Sequence, residues 1–114
     1  MPLVAEPFTS DMSPLRTDIL LAIQNALLGE VEQHLRAVAF DYSASIKYIK
    51  LYFYLDRMPN EEDEEWATNV MTEFLASFSF KDFDTAQAEC LFSNSKNNML
   101  NPFSGFAFLR KEAA

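Results

Sequence analysis

The sequence predicts an α+β fold, a two-layer sandwich in which helices cover one face of a mainly antiparallel sheet. Two segments carry apolar residues at helical spacing, and four others have the length and alternation of strands. Their order along the chain is α-β-β-α-β-β. A chain of 114 residues with 49% hydrophobic composition is expected to form one domain, residues 1–114, with residues 1–12 as a loose N-terminal arm.

The first helix is expected at about residues 14–28. Ser13 followed by Pro14 is typical of an N-cap and a first helical turn, and Gly29 is typical of a helix end. The apolar residues between them recur at helical spacing: Leu15, Ile19, Ala22, Ile23, Ala26 and Leu27. This stripe predicts the face that packs on the sheet.

Two strands are expected next, at Leu35–Tyr42 and at residues 46–55, and the short connection between them favours an antiparallel hairpin. In the first strand, alternation places Arg36, Val38, Phe40 and Tyr42 on one face and Leu35, Ala37, Ala39 and Asp41 on the other. In the second strand, it places Ile49, Leu51, Phe53 and Leu55 toward the helices. The opposite face carries Tyr48, Lys50, Tyr52 and Tyr54 and is expected to be partly open.

The second helix is expected at about residues 60–77. Asn60 is a suitable N-cap, and Asp63 is placed to cap the backbone in return. Acidic residues in the first turn also complement the positive end of the helix dipole. A continuous apolar stripe follows: Trp66, Ala67, Val70, Met71, Phe74, Leu75 and Phe78. Because this stripe must face the core, the carboxylates of residues 61–65 are expected to face outward.

The last two strands are expected at Thr85–Phe92 and at Gly105–Lys111, with a polar loop at residues 93–98 after the first of them. Alternation places Ala86, Ala88, Cys90 and Phe92 on one face of the third strand. It places Phe106 and Phe108 together on one face of the fourth. Cys90, the single cysteine, is expected to be a small buried hydrophobe in a reducing compartment.

The charge of the chain excludes some classes of partner. Nine basic residues stand against seventeen acidic ones, which gives a net charge of −8. Nucleic acid and anionic membrane surfaces are therefore disfavoured as partners, and a basic protein is favoured. The apolar stretches are too short to span a bilayer, and no signal-peptide pattern is present. The sequence thus predicts a soluble, cytoplasmic protein.

The residues needed for catalysis or metal binding are scarce. His34 is the only histidine, so no standard zinc site can be assembled with Cys90, and His34 is expected to be exposed or to cap the backbone. Carboxylates at adjacent helical positions fan around the axis instead of forming a calcium loop. Gly29 and Gly105 are the only glycines, so there is no phosphate cradle. We therefore expect no enzymatic activity, no cofactor and no metal.

Two features suggest a binding surface, formed by acidic residues at the start of the second helix and by tyrosines on the second strand. The predicted partner-binding residues are Tyr48, Tyr52, Tyr54, Asp56, Glu61, Glu62, Asp63 and Glu65. Tyrosines ringed by carboxylates would suit a partner rich in lysine and arginine. Each feature also has a simpler explanation: the acidic residues can serve helix capping and solubility, and the tyrosines can pack under a loop or the N-terminal arm.

Several short strings resemble small bacterial immunity proteins, the inhibitors found in contact-dependent growth inhibition and related polymorphic toxin systems. The strings are Leu27-Leu28-Gly29-Glu30-Val31, Leu35-Arg36-Ala37-Val38, Tyr54-Leu55-Asp56 with Glu61-Glu62-Asp63, residues 72–78, and Leu109-Arg110-Lys111-Glu112. The resemblance covers roughly residues 15–112, although residues 94–103 have no counterpart in it. It implies a cytoplasmic protein that binds and blocks one cognate toxin domain, typically a basic nuclease, by covering its active site or substrate-binding surface.

Two other functions remain open from the sequence. The chain could be a small-ligand-binding or regulatory α+β module, in which case an enclosed aromatic pocket between sheet and helices is expected. It could also form a weak homodimer through the tyrosine face or an exposed strand edge; otherwise a monomer is expected.

Overall fold

The computed structural model describes residues 14–79 and 81–112, so the predicted arm at residues 1–12 and the predicted N-cap Ser13 lie outside the described residues. The elements are α1 (Arg16–Leu27), β1 (Leu35–Ser43), β2 (Tyr48–Leu55), α2 (Glu61–Leu75), β3 (Thr85–Phe92) and β4 (Gly105–Leu109). The strands form one sheet in the order β3-β2-β1-β4. The predicted α+β class and the predicted order of elements are therefore confirmed.

The sheet is mixed, with one parallel pair. β1 is antiparallel to both β2 and β4, which confirms the predicted hairpin, but β3 is parallel to β2. The connection from β2 to β3 contains α2, and a crossover helix of this kind returns the chain to the end of the sheet from which β2 started. The helix therefore determines the direction of β3.

Both helices pack on the same face of the sheet. The main core comprises Ile19, Ala22, Ile23, Ala26 and Leu27 from α1, Ala67, Val70, Met71 and Phe74 from α2, and the predicted inner face of β2. Trp66, Leu75 and Phe78 border this core and are only partly buried. The two apolar stripes read from the sequence thus define the layer interface, except that Leu15 precedes the helix and is 64% exposed, so its assignment to the inward stripe was wrong.

Helix α1 starts two residues later than expected. Its N-cap is Leu15, which has no side-chain oxygen to offer, and the carboxylate of Asp18 instead accepts a hydrogen bond from the Leu15 N–H at 3.0 Å. At the other end, Gly29 adopts φ +77° and the Glu30 N–H bonds the carbonyl of Leu27 at 2.8 Å. The predicted stop at Gly29 is confirmed.

A β-bulge at Arg36 changes the two faces of β1. Leu35 pairs with Leu55 and Ala37 pairs with Tyr54, so Arg36 is an extra residue opposite this pair. Leu35 consequently joins the helix-covered core, whereas Ala37 packs on the opposite face. The simple alternation that grouped Leu35 with Ala37, and Arg36 with Val38, was wrong at this point.

A second irregularity lies between β1 and β4. Val38 pairs with Phe108 and Ala39 pairs with Phe106, so Ala107 is the extra residue. Phe108 packs against the helix-side core and Phe106 against the opposite cluster. The prediction that these two phenylalanines share a face was wrong, because the bulge inverts the side-chain alternation between them.

The element ends differ from the predicted ends by a few residues. β2 begins at Tyr48 because Lys47 has a positive φ of 50° and closes the turn before it. α2 covers Glu61–Leu75 within the predicted residues 60–77, and β4 ends at Leu109, where the predicted strand extended to Lys111. β3 has the predicted bounds.

The helix-side core should carry much of the stability. Replacing the fully buried Phe74 by alanine is expected to lower the free energy of unfolding by about 3–5 kcal/mol, because it leaves a cavity in a packed region. Phe92→Ala is the matched control: Phe92 is 43% exposed, and its loss should cost about 1 kcal/mol or less. Urea denaturation measures both, and equal costs would contradict this description of the core.

Candidate partner-binding surface

Several connections meet at the end of the domain where β2 finishes. Leu55 pairs with Leu35 at the start of β1 and with Phe92 at the end of β3. The loops before β1, after β2 and after β3 therefore all leave the sheet at this end, and α2 begins there. We call it the acidic end, defined by the carboxylates of Glu30, Glu32, Glu61, Glu62, Glu64 and Glu65.

The start of α2 is held by reciprocal capping. The Asn60 side chain accepts a hydrogen bond from the Asp63 N–H at 2.9 Å, and the Asp63 carboxylate accepts one from the Asn60 N–H at 3.1 Å. The indole of Trp66 donates to the carbonyl of Glu30 at 2.6 Å, which fixes the loop before β1 against the helix. These bonds give the acidic end a defined shape.

Asp63 differs from its acidic neighbours because it is buried. Asp63 is 2% exposed, and its carboxylate pairs with the Arg57 guanidinium at 2.8 Å. This hydrogen bond and ion pair with Arg57 lowers the pKa of Asp63, so its charge is used inside the domain. The expectation that every carboxylate of residues 61–65 faces outward was wrong for Asp63, because its position continues the inward face of the helix through Ala67 and Val70.

The remaining carboxylates of the helix start are exposed: Glu61, Glu62, Glu64 and Glu65. Within residues 14–79 and 81–112, the ion pairs of the domain involve none of them, nor Glu30 or Glu32. Unpaired like charges repel one another and produce a negative potential at the surface. This potential favours a partner that brings lysine or arginine.

Exposed apolar side chains lie in the two loops that border this carboxylate cluster. Leu28 and Val31 belong to the connection before β1, and Met58 belongs to the connection after β2. Leu28 is the most exposed of the three at 76%. Apolar contacts surrounded by charged groups are typical of protein interfaces. Isolated apolar residues in loops show no periodicity, so the sequence pattern did not identify them.

Asp56 takes part in a charge network next to the acidic end. Its two oxygens accept hydrogen bonds from His34 Nδ1 at 2.8 Å and from Arg110 at 3.0 Å. Desolvation opposes ionisation of Asp56, but the hydrogen bonds from Arg110 and His34 outweigh it and lower its pKa. Although exposed, Asp56 is therefore less available to a partner than the helix carboxylates. His34 lies half-buried in this pair.

The network continues to a buried arginine that was not among the predicted site residues. Arg36 is 4% exposed and donates to both oxygens of Glu112 at 2.8 Å, to the Ser93 carbonyl and to the Asn97 side chain. Hydrogen bonds from Arg36, joined by those from Arg110, lower the pKa of Glu112 to about 2. The sequence feature that could have identified Arg36 is its position as an arginine within a strand whose other residues are mostly apolar.

The predicted tyrosine face is largely covered. Tyr52 stacks on Phe103 with ring centroids 3.9 Å apart, and the Tyr54 hydroxyl donates to the Asn101 carbonyl at 2.9 Å. Both tyrosines are buried by the segment of residues 97–103, so the expectation of an open face was wrong for them. The alternative explanation, packing under a loop, is confirmed for Tyr52 and Tyr54.

Tyr48 lies apart from the carboxylates. It is half-buried at the start of β2, whereas Asp56 follows the end of that strand. At the usual rise per residue, the two positions are roughly 25 Å apart along the strand. The structure therefore does not bring all predicted partner-binding residues together: Asp56, Glu61, Glu62 and Glu65 share one end, and Tyr48 lies near the other.

A groove of about 880 Å³ runs beside the buried arginine. Its lining consists of Arg36, Asp56, Arg110, Glu112 and residues 93–98. These side chains are polar or charged, and hydrogen bonds join Arg36 to Asn97, Asn97 to the Arg110 carbonyl, and Arg110 to Asp56. The groove therefore does not match the enclosed aromatic pocket between sheet and helices that a small-ligand module was expected to have.

Three further observations concern the described residues only. In residues 14–79 and 81–112, no group of His, Cys, Asp and Glu side chains is arranged to hold a metal ion. No described helix has the length and apolar character needed to cross a membrane. Cys90 is buried, as predicted, with its thiol 3.6 Å from the Asp63 carbonyl, and desolvation raises its pKa to about 12.

Comparison with known proteins adds one finding to this geometry. Residues 16–112 match the family model described as MafI2 immunity protein. The match spans all the helices and strands described above. No curated protein matches the chain.

The Arg36–Glu112 pair should make stability depend on pH. The folded-state pKa of Glu112 is about 2, below its ordinary value of 4.5, so its stabilising contribution is complete above pH 4.5 and is lost as the pH falls toward 2. Glu112→Gln should therefore destabilise the protein near neutral pH, and its difference from the wild type should shrink as the solution is acidified through this range. Urea denaturation across the pH series measures this. Glu62→Gln removes an exposed carboxylate and serves as the control; a pH-independent effect of Glu112→Gln would contradict the assignment.

Proposed function

The chain belongs to the MafI2 immunity protein family, and from that premise we propose that it neutralises one cognate toxin by binding it and covering its working surface. As an immunity protein, it is not an enzyme. The toxin in this proposal is a MafB toxin whose active domain is a basic nuclease. We further propose that the toxin is delivered by contact between cells and that the chain acts in the cytoplasm, where a nuclease would meet its substrate.

The acidic end is the surface that we assign to the toxin. The observation that carries the assignment is the group of exposed, unpaired carboxylates at the start of α2, above all Glu61, Glu62 and Glu65. A nuclease binds phosphates through lysine and arginine, so the same cations can pair with these carboxylates. Occupying those cations would deprive the toxin of its nucleic-acid contacts.

The exposed apolar residues of the two loops can add hydrophobic contacts to this surface. Leu28, Val31 and Met58 are exposed in the free chain and can be buried against the toxin. Burial of such side chains supplies affinity, whereas the surrounding charges mainly increase the rate of encounter and select the partner. Asp56 would lie at the rim of the contact.

The predicted tyrosines would have a secondary role in binding the toxin. Tyr52 and Tyr54 hold the segment of residues 97–103, of which Phe103 is exposed, and they would act on a partner through that segment. Tyr48 can contact only a toxin that extends along β2 away from the acidic end. The single-domain assignment for residues 1–114 remains a prediction.

Charge reversal tests the role of the acidic end. Changing Glu61, Glu62 and Glu65 together to lysine should lower the association rate with the toxin encoded beside this gene by about tenfold or more at low salt, because electrostatic steering is lost. The association rate of the variant should also depend less on salt than that of the wild type. Stopped-flow or surface-binding kinetics at two salt concentrations measure both quantities.

A matched pair of single variants separates position from net charge. Glu62→Lys and Glu73→Lys make the same charge change on exposed positions of the same helix, but Glu73 lies beyond its first turns. Only Glu62→Lys should slow association strongly. If the two variants behave alike, the toxin does not bind at the acidic end, and if no complex forms with the wild type, the proposed immunity function is wrong for this toxin.

A further inference from the structure

The two edge strands of the sheet differ in how they are protected from pairing with another chain. The strand order places β3 and β4 at the edges. β4 has five residues and a bulged pairing with β1, and it lies between Pro102 and the cationic Arg110 and Lys111. Short length, a bulge, proline and lysine are the devices that prevent edge-to-edge association.

β3 has none of these devices. It is eight residues long, its register with β2 is continuous, and it contains no proline, lysine or arginine. Thr85, Ala86 and Gln87 are exposed at its start and Phe92 is exposed at its end. The strand is therefore a regular edge along which another strand can pair.

The hydrogen-bond pattern identifies which backbone groups are free. The N–H groups of Thr85 and Ser93 donate to β2-side carbonyls, at Lys47 and Leu55. Because bonding alternates along a parallel strand, the N–H and C=O groups of the even-numbered residues Ala86, Ala88, Cys90 and Phe92 point away from the sheet. In the described part of the chain, none of these outward groups has a backbone partner.

The charges around β3 indicate the kind of strand that fits. Asp84 is exposed directly before it, Glu64 lies near Cys90 at its other half, and Glu89 is on the strand, partly offset by Lys50 at 2.8 Å. A second copy would bring the same carboxylates together between two chains that each carry a net charge of −8. A strand with alternating lysine or arginine would instead meet opposite charges.

We propose that the outer edge of β3 receives a basic β-strand of the cognate toxin, which extends the sheet by one strand. This assignment rests on the proposed immunity function and adds a second contact to the acidic end. The two surfaces are continuous, because Phe92 at the end of β3 pairs with Leu55, where the acidic end begins. Main-chain hydrogen bonds would supply affinity and the flanking charges would select the strand.

Residue-resolved amide hydrogen exchange tests the proposal, with the purified toxin encoded beside this gene as the probe. In the free chain, the amides of Ala86, Ala88 and Cys90 should exchange faster than that of Gln87, which is bonded to β2. In the complex, exchange of the three outward amides should slow by about tenfold or more, and Gln87 should change little.

The other possible results of the exchange experiment lead to different conclusions. A complex that leaves the outward amides unchanged overturns the edge assignment and leaves the immunity function standing. Absence of any complex overturns both. Protection of these amides in the free chain that increases with protein concentration means that a second copy occupies the edge, which also overturns the assignment to the toxin.

A proline variant gives an independent test. Ala86→Pro removes an outward N–H from an exposed position while leaving the bonds between β2 and β3 in place. It should raise the Kd for the toxin by about tenfold, whereas the control Ala86→Thr keeps the N–H and should stay within about twofold. Thermal unfolding confirms that both variants fold, and if Ala86→Pro does not fold, the exchange experiment on the wild type decides. Equal affinities of two folded variants overturn the proposal.

Discussion

A buried arginine needs partners for its charge, and the arrangement of one side of this domain depends on that requirement. Arg36 lies on the sheet, and burial without compensation would be strongly unfavourable. Its bonds to Glu112, the Ser93 carbonyl and Asn97 bring the chain after β4 and the chain after β3 to the same place. Arg110 then links this cluster to Asp56, at the border of the acidic end. The Arg36 guanidinium thus joins β1 to two segments that are distant from it in sequence.

The acidic end combines a rigid base with unused charge. Asp63 is hydrogen-bonded to both Asn60 and Arg57, and these bonds hold the start of α2, so that the exposed glutamates are presented from a fixed helix. Within the described residues those glutamates gain no ion pair in return for their mutual repulsion. Mutual repulsion of this kind is relieved when a cationic partner neutralises the charge. In the function that we propose, this charge binds the cognate toxin of an immunity protein.

The two proposed contact surfaces would contribute to binding in different ways. In this proposal, charge at the acidic end would speed encounter and discriminate against neutral or acidic proteins, while the edge of β3 would provide directional main-chain bonds to a basic toxin strand. Their continuity through Leu55 and Phe92 allows one toxin domain to occupy both. The opposite edge, at β4, is short and bulged, so the domain offers a pairing edge on one side only.

Local pattern was sufficient for the features that depend on neighbouring residues. Helical spacing identified the inward stripes of both helices, and alternation identified the inner face of β2. The caps at Gly29 and Asn60 could be predicted from the sequence because capping acts over three or four residues. For the candidate site, the sequence identified the exposed glutamates of α2, since a run of carboxylates before an apolar stripe must start a helix. It also limited the chemistry, because one histidine and one cysteine leave few options.

Long-range packing decided the rest. The bulges at Arg36 and Ala107 invert the alternation of two strands, and a bulge arises from pairing with a distant strand that local periodicity does not contain. Asp63 is buried because it lies on the face of α2, with Ala67 and Val70, that packs on the sheet, and Tyr52 and Tyr54 are covered because residues 97–103 return across the sheet. The parallel direction of β3 likewise follows from the crossover through α2. Such contacts join residues far apart in the chain, so their energies are set only when the whole domain is assembled.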